Sequence, residues 1–295
     1  MTGRRRILLF GSGGQLGQEL ATTPWPEGIT LVARSRAEAD ITDRRAVAAL
    51  VADGPFAAVI NAAAWTGVDA AEDAVAEAFA ANALGPAILA EETRRHGIPL
   101  IHISTDYVFD GSKPTPYDED DAAHPIGVYG ASKLAGEEAV RTGNPRHIIV
   151  RTSWLFGRLG RNFVKTMLRL AAEGGPVRVV DDQRGRPTAA GDLAAAIAAI
   201  ATTPDLADRA GIYHFANRGE TTWYGLARAV FAFSREKGGP SAAVEPIATA
   251  DFPTPARRPA NSCLSTARIE RSFGIAPRPW EEALRDVIAT LVPGG

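Results

Sequence analysis

The sequence predicts an α/β protein built on a doubly wound parallel sheet, with a second, smaller and discontinuous α/β lobe. Three observations carry that expectation. Short apolar runs of strand length alternate with longer Ala-rich segments of helical period through the first half of the chain. A glycine-rich turn, Gly11-Ser12-Gly13-Gly14-Gln15-Leu16-Gly17, follows the first apolar run and opens the first helical segment. From about Trp154 the alternation weakens, and Pro and Gly cluster in Pro240–Pro259 and Pro277–Pro279.

Taken in order, strands are expected at Ile7–Phe10, Thr30–Ala33, Ala58–Asn61, Leu100–Ser104 and His147–Arg151, each apolar enough to be covered on both faces. Helices are expected at Gln15–Thr22, Arg44–Ala52, in parts of Ala70–His96, and at Gly130–Thr142. Val177–Val180 and Ile212–Ala216 are strand-like and would extend the same sheet. Residues 1–153 and 177–217 are thereby assigned to a dinucleotide-binding (Rossmann) domain, and 154–176 and 218–295 to a substrate-binding lobe.

Bulk properties narrow the function classes. At 295 residues the chain can bury a sizeable core, and 32 basic against 34 acidic residues leave no electrostatic footprint for nucleic acid or an anionic membrane surface. Cys263 is the only cysteine, so no internal disulfide can form, which fits a reducing cytoplasm. His96, His102, His124, His147 and His214 show no metal-ligand spacing, and no metal is expected from them. The basic start at Met1–Arg6 leads into an apolar run that ends at Gly11, too short for a secretory signal. Leu193–Ala201 is far shorter than the roughly 20 residues of a membrane span. The acidic run Asp118-Glu119-Asp120-Asp121 reads as a solvated loop face, with a lid that orders over the site as the alternative.

In the glycine-rich turn, Gly11, Gly14 and Gly17 let the backbone turn sharply and approach a pyrophosphate, with Gln15 and Leu16 at the helix N-terminus. The end of the second strand ordinarily selects the dinucleotide: an acid bonds a ribose 2′-OH, an arginine accommodates a 2′-phosphate. Here Arg34-Ser35-Arg36 favours NADPH, with Arg34 or Arg36 on the phosphate and NADH as the alternative. Asp40-Ile41 would bring a carboxylate near the adenine amino group, or Asp40 would cap the helix that begins near Asp43.

Reducing a ketone needs a hydride donor and a group that protonates the oxygen as it becomes an alkoxide. In Tyr129-Gly130-Ala131-Ser132-Lys133 the i, i+4 spacing sets Tyr129 and Lys133 on one helical face, where the ammonium would lower the phenol's pKa and hold the nicotinamide ribose. Upstream, Ser104-Thr105-Asp106-Tyr107 ends a strand at the carboxyl edge of the sheet, where α/β proteins bind ligands. Thr105 is the preferred hydroxyl for polarising a carbonyl, with Ser104 beside it; the three residues 104–106 could instead cap the turn.

This combination resembles the extended short-chain dehydrogenase/reductase superfamily and, within it, the dTDP-4-dehydrorhamnose reductase family. The resemblance runs through nearly the whole chain, on Gly11–Gly17, Asn61-Ala62-Ala63-Ala64-Trp65-Thr66, Val68-Asp69, Glu72, Ser104–Gly111, Tyr129–Lys133, Arg151-Thr152-Ser153-Trp154, Asp182–Thr188 and Arg258–Ser262. It implies reduction of the C4 ketone of a dTDP-4-keto-6-deoxy sugar, with Tyr129 as proton donor, Lys133 as its support and Thr105 as the third catalytic hydroxyl. Ala62, Ala63, Ala64 and Asn82 would lie on the cofactor side; Trp65, Val68, Tyr107, Trp154, Asn162 and Arg186 would meet the nucleotide-sugar. Two departures stand out. Trp65 replaces the family's usual Tyr, which raises the alternative of another NDP-4-keto sugar from antibiotic or glycan synthesis. The family is also associated with magnesium held by glutamates at a dimer interface. Glu19 matches one of them, but Gly191 stands where a Glu is expected and Leu291–Gly295 carries no acid, so magnesium is not expected here and a homodimer stays open. A third reading is an NADP-binding regulatory subunit without turnover, similar to that of methionine adenosyltransferase; the intact Tyr129/Lys133 pair speaks for an enzyme.

Overall fold

The computed structural model describes residues 5–292; the basic start at residues 1–4 and the tail beyond 292 lie outside it. In chain order the elements are β1 (Arg5–Phe10), α1 (Gln15–Thr22), β2 (Ile29–Arg34), α2 (Arg44–Ala52), β3 (Phe56–Asn61), α3 (Val68–Asp73), α4 (Val75–Phe79), α5 (Gly85–Arg95), β4 (Leu100–Thr105), α6 (Val128–Gly143) and β5 (His147–Thr152). They continue with β6 (Leu155–Phe156), α7 (Phe163–Glu173), β7 (Val177–Val180), β8 (Arg184–Gly185), β9 (Thr188–Ala189), α8 (Ala190–Thr202), β10 (Gly211–His214), β11 (Thr221–Thr222), α9 (Trp223–Glu236), β12 (Val244–Ile247), α10 (Ala267–Phe273) and α11 (Trp280–Leu291).

Six strands form a parallel sheet in the order β10-β5-β4-β3-β1-β2. The side-chain period of two explains why these strands are apolar throughout. Along β1, Ile7 and Leu9 enter one buried layer with Leu16 and Leu20 of α1 and Leu193, Ile197 and Ile200 of α8. Leu8 and Phe10 enter the opposite layer with Val47 and Val51 of α2, Ile88 and Leu89 of α5 and Val140 of α6. The chain passes from β1 outward to β2 and then back across to β3. The strand order therefore reverses between β1 and β3, where a crevice opens at the carboxyl ends of the strands.

Two sequence expectations are corrected. Ile212–His214 joins the sheet beside β5, but Val177–Val180 pairs with Val244–Ile247 instead. Val177 and Val179 pack with Phe231 of α9 and Leu284 and Ile288 of α11 in a separate core, so this strand goes with the smaller lobe. The smaller lobe needed an apolar strand, and Val177-Arg178-Val179 alternates buried and exposed as one half-covered strand does. The run 118–121 is not simply a solvated face: Glu119 is buried, accepts the His214 N–H at 2.9 Å and faces Arg268 at 3.5 Å. The long helical stretch before β4 is interrupted, α4 passing through a π-turn at Ala80–Leu84 into α5. No helix among the described residues is long and apolar enough to cross a membrane.

Candidate active site

The crevice at the switch point is a cleft of ≈ 720 Å³ between the sheet's carboxyl edge and the smaller lobe. Its floor is the glycine turn. Gly11, at φ +86°, lies against the turn after β3: a Cβ there would sit 2.4 Å from the Ala63 nitrogen. At Gly17 a Cβ would meet the Gly11 carbonyl at 2.1 Å, whereas at Gly14 the nearest atom is 3.4 Å away. The three glycines thus divide the work. Gly11 seats β1 against the Ala62–Ala64 turn, Gly17 brings α1 close to the strand, and Gly14 keeps the helix N-terminus open toward the cleft. Gly11→Ala is expected to cost about 1–3 kcal/mol and to abolish dinucleotide binding, checked by thermal melting and by a cofactor fluorescence titration; retained affinity would refute this account of the turn.

At the end of β2 the side chains are already engaged. The Ser35 N–H and hydroxyl both donate to Glu38 Oε2, at 2.8 and 2.6 Å. Arg34 donates to the Ala33 carbonyl, and Arg36 to Asp40 at 3.2 Å. Asp40 does not cap α2: it accepts from the Thr42 N–H and hydroxyl, bonds that with Arg36 hold its pKa below the usual carboxylate range, while Asp43 caps the helix. Arg36, Asp40 and Ile41 line the cleft; Arg34 and Ser35 do not.

The catalytic candidates come from β4 and α6. Two glycines let α6 approach: a Cβ at Gly130 would lie 2.1 Å from the Tyr107 carbonyl, and one at Gly136 2.0 Å from that of Asn82. This docking brings Tyr129 and Lys133 beside Ser104 and Thr105 on the cleft wall. Tyr129 stands edge-to-face with Tyr107, ring centroids 5.5 Å apart. Lys133 is buried and donates to the Ile103 carbonyl at 2.7 Å. Burial lowers its pKa to about 8 against the opposing pull of Glu137.

The expected acidification of Tyr129 is not what this structure has. Burial raises its pKa to about 12, the contact with the Thr105 hydroxyl acts the other way, and the Asp106 charge raises it further. Desolvation outweighs any benefit from the lysine, whose ammonium is turned to a backbone carbonyl. A phenol that keeps its proton at neutral pH is a proton donor.

Several residues expected in the site stand behind it. Asn82, in the π-turn, is fully buried: it accepts from the Trp65 N–H at 2.8 Å and donates to the Trp65 carbonyl and to Ser132 Oγ. It clamps the turn that carries Trp65 rather than touching the cleft, a use of a π-turn near a site that has precedent in other proteins. Asn162 caps α7 and donates to Gln15 Oε1 at 3.1 Å, tying the second lobe to the glycine turn. Arg186 is held by the Leu264 carbonyl and by Glu220, at 2.8 and 3.2 Å. Arg161, one residue before Asn162, is exposed and lines the cleft.

The cleft's far wall is aromatic. Trp154, with φ +47°, stacks on Trp223 at 3.6 Å between centroids. Such a backbone is costly for a bulky residue and survives because the stack and Gly185 enclose the ring. Sequence reasoning missed Trp223, Arg161 and Asp106. Only Asp106 carried a signal, through its place beside Thr105. Trp65, Val68 and Tyr107 line the cleft.

The residues do not fit the magnesium site. Glu19 is buried and receives Arg158 Nε and Nη2, each at 3.2 Å, so a guanidinium neutralises it. At Gly191 there is open space, and among the described residues no three His, Cys, Asp or Glu side chains converge for a metal. No step is assigned to a metal.

Comparison with known proteins agrees with this geometry. Residues 5–292 match the profile of the family described as RmlD substrate binding domain. A dTDP-4-dehydrorhamnose reductase of Sinorhizobium fredii is 43% identical over 98% of this chain and 99% of its own. A probable dTDP-4,6-dihydroxy-2-methyloxan-3-one 4-ketoreductase of Streptomyces antibioticus is also 43% identical, over 97% of this chain and 96% of its own. The crystal structure of dTDP-4-dehydrorhamnose reductase from Bacillus anthracis in complex with NADP superposes with a TM-score of 0.90 at 36% identity, covering 97% of this chain and 99% of that one. With the glycine turn, the Thr105/Tyr129/Lys133 wall and a match through every described residue, the chain belongs to the RmlD substrate binding domain family, that of the dTDP-4-dehydrorhamnose reductases.

Proposed function

We propose that the chain reduces the C4 ketone of a dTDP-4-keto-6-deoxyhexose with NADPH, converting dTDP-4-dehydro-L-rhamnose to dTDP-L-rhamnose. The observation that carries this reading is the convergence of Thr105, Tyr129 and Lys133 on the cleft floored by Gly11–Gly17. The open backbone at Gly13 and Gly14 fits a pyrophosphate, and Ala62–Ala64 leave a small-residue wall for a nicotinamide. When bound, the reduced nicotinamide supplies the hydride. Tyr129 gives its proton to the carbonyl oxygen as that hydride arrives, and Thr105 orients the oxygen. Lys133 places its ammonium on the same helical face as Tyr129 and offsets the negative charge left on the phenolate. Trp154 and Trp223 offer an aromatic face to the base, and Arg161, free of carboxylate partners among the described residues, meets the diphosphate.

The test is direct: purified protein, NADPH and dTDP-4-dehydro-L-rhamnose, with nicotinamide absorbance followed. Substrate-dependent oxidation is expected, and its absence would reject this substrate. A second reading, reduction of another dTDP-linked keto sugar, is favoured by Trp65 and by the equal identity to the Streptomyces antibioticus relative. A panel of 4-keto sugars separates the two by kcat/KM.

Glu38 bears on cofactor choice. Its carboxylate occupies the Ser35 N–H and hydroxyl that a 2′-phosphate would use, and those bonds lower its pKa, so it is anionic at neutral pH. Glu38→Gln is expected to lower KM for NADPH by roughly fivefold, a surface-charge effect that fades at high salt, with KM for NADH unchanged. Equal changes for both cofactors would disprove competition with the phosphate.

A further inference from the structure

Asp69 and Arg258 both stand in segments that carry the family resemblance, and neither has a part in the proposed reduction. The fold brings them together from 189 positions apart. Arg258 sets its guanidinium fork on the Asp69 carboxylate, Nη1 donating to Oδ1 at 3.1 Å and Nη2 to Oδ2 at 2.7 Å. The Ala256 N–H donates to the same Oδ1 at 3.2 Å, and Arg258 Nη1 turns back to the Thr254 hydroxyl and the Ala256 carbonyl of its own loop. A two-pronged contact of this kind fixes orientation as well as distance.

What the fork joins is the rim of the cleft. Asp69 lies in the first turn of α3, beside Val68 and four residues after Trp65, both of which line the cleft. On its other side Arg258 reaches the hydroxyl of Tyr107, a further lining residue, whose ring stands against Tyr129. The loop that carries Arg258 is anchored at both ends. The Thr249 N–H donates to Asp182 at 2.9 Å, and the Arg184 N–H to the Ala260 carbonyl at 2.8 Å. Between these anchors residues 252–260 form neither helix nor strand, so the Asp69 fork is what places the middle of the loop.

We propose that Arg258 is a positioning residue for the sugar side of the cleft, holding α3, with Val68 and Trp65, at a fixed separation from Tyr107. It does not line the cleft itself, and its effect passes through Val68 and Tyr107. Stability is not what the pair supplies: Arg258 and Asp69 are 23% and 42% exposed, and ion pairs so open to water contribute little. The fork holds the Asp69 carboxyl below the usual carboxylate range, so both partners are charged at neutral pH. Geometry is the larger effect, since displacing a substrate-positioning group by about 1 Å costs up to about 100-fold.

This inference rests on the reading of the cleft as a nucleotide-sugar site, and one arm of its test needs no turnover. In kinetics with NADPH and dTDP-4-dehydro-L-rhamnose, Arg258→Gln is expected to raise KM for the sugar about tenfold. KM for NADPH and the melting temperature should stay near wild type. Arg258→Lys, which keeps the charge and loses the fork, should fall between the two. Asp69→Asn, which still accepts the Ala256 N–H, should also raise the sugar KM, and the double variant should be no worse than Arg258→Gln alone, because Asp69 acts through Arg258. In the second arm, calorimetry gives Kd for dTDP and for dTDP-glucose, and Arg258→Gln should weaken the sugar nucleotide severalfold more than the bare nucleotide. An unchanged sugar KM, equal losses for sugar and NADPH, or equal weakening of dTDP and dTDP-glucose overturns the proposal. Selective weakening of dTDP-glucose in a protein that reduces no 4-keto sugar keeps the role of Arg258 and rejects the substrate reading instead. A wild type that binds neither nucleotide overturns both. Should Arg258→Gln fold poorly by thermal melting, Asp69→Asn and Arg258→Lys carry the same comparisons.

Discussion

Tyr129→Phe is expected to lower kcat by about 10²–10⁴-fold while cofactor affinity and melting temperature stay near wild type. The aromatic ring and its edge-to-face contact with Tyr107 survive the change, so packing on the cleft wall is conserved. What goes is the phenol that stands with Thr105 and Lys133 on the cleft wall, the proton donor of the proposed reduction. Because burial holds the Tyr129 pKa near 12, the wild-type phenol is protonated through neutral pH, and its own ionisation should not limit reduction below about pH 10. Steady-state kinetics with NADPH check the loss, and a cofactor titration checks that binding remains. A variant that kept more than a tenth of the wild-type kcat would remove Tyr129 from the chemistry. It would also favour the regulatory reading, in which the cofactor is bound without turnover.

Arg151→Met should destabilise the fold by about 3–5 kcal/mol, on the order of 10 °C in melting temperature. Arg151 of β5 donates from Nε and Nη2 to the two oxygens of Glu137, at 2.9 and 2.6 Å, with the two side chains 4% and 1% exposed. Its guanidinium also lies over the Phe109 ring at 5.0 Å. The variant strands the Glu137 carboxylate in the interior, one helical turn beyond Lys133. That freed carboxylate would draw the Lys133 ammonium from the Ile103 carbonyl, so kcat should fall as well. The double variant Arg151→Met/Glu137→Leu, with no charge left behind to draw Lys133 away, should recover most of the stability and most of the rate. Calorimetry on the two variants checks this, and an Arg151→Met protein within about 1 kcal/mol of wild type would show that the pair is not what supports α6 against the sheet.

Both predictions concern α6, and the contrast between its two faces shows how far local pattern reaches. Tyr129 and Lys133 were legible because i, i+4 spacing is a property of the helix itself. The Gly11–Gly17 turn was legible for the same reason: strand, turn and helix N-terminus are contiguous in the chain. The balance of burial and charge at Tyr129 was not legible, because desolvation depends on what packs over the ring, which no spacing encodes. Nor does any spacing show that Asn82, Asn162 and Arg186 would be engaged within the protein and absent from the cleft lining. Their hydrogen-bonding groups meet Trp65, Gln15 and Glu220, partners between 17 and 147 positions away.

The sequence by itself determined the doubly wound fold, the dinucleotide turn and the Tyr129/Lys133 wall, because periodicity and glycine placement act within a few residues. Tertiary structure alone decided the pairing of Val177–Val180 with Val244–Ile247, the guanidinium on Glu19, the Trp154–Trp223 face and the buried state of Asp106. Each of these depends on which distant segment arrives at a given side chain, and on how much water it displaces there.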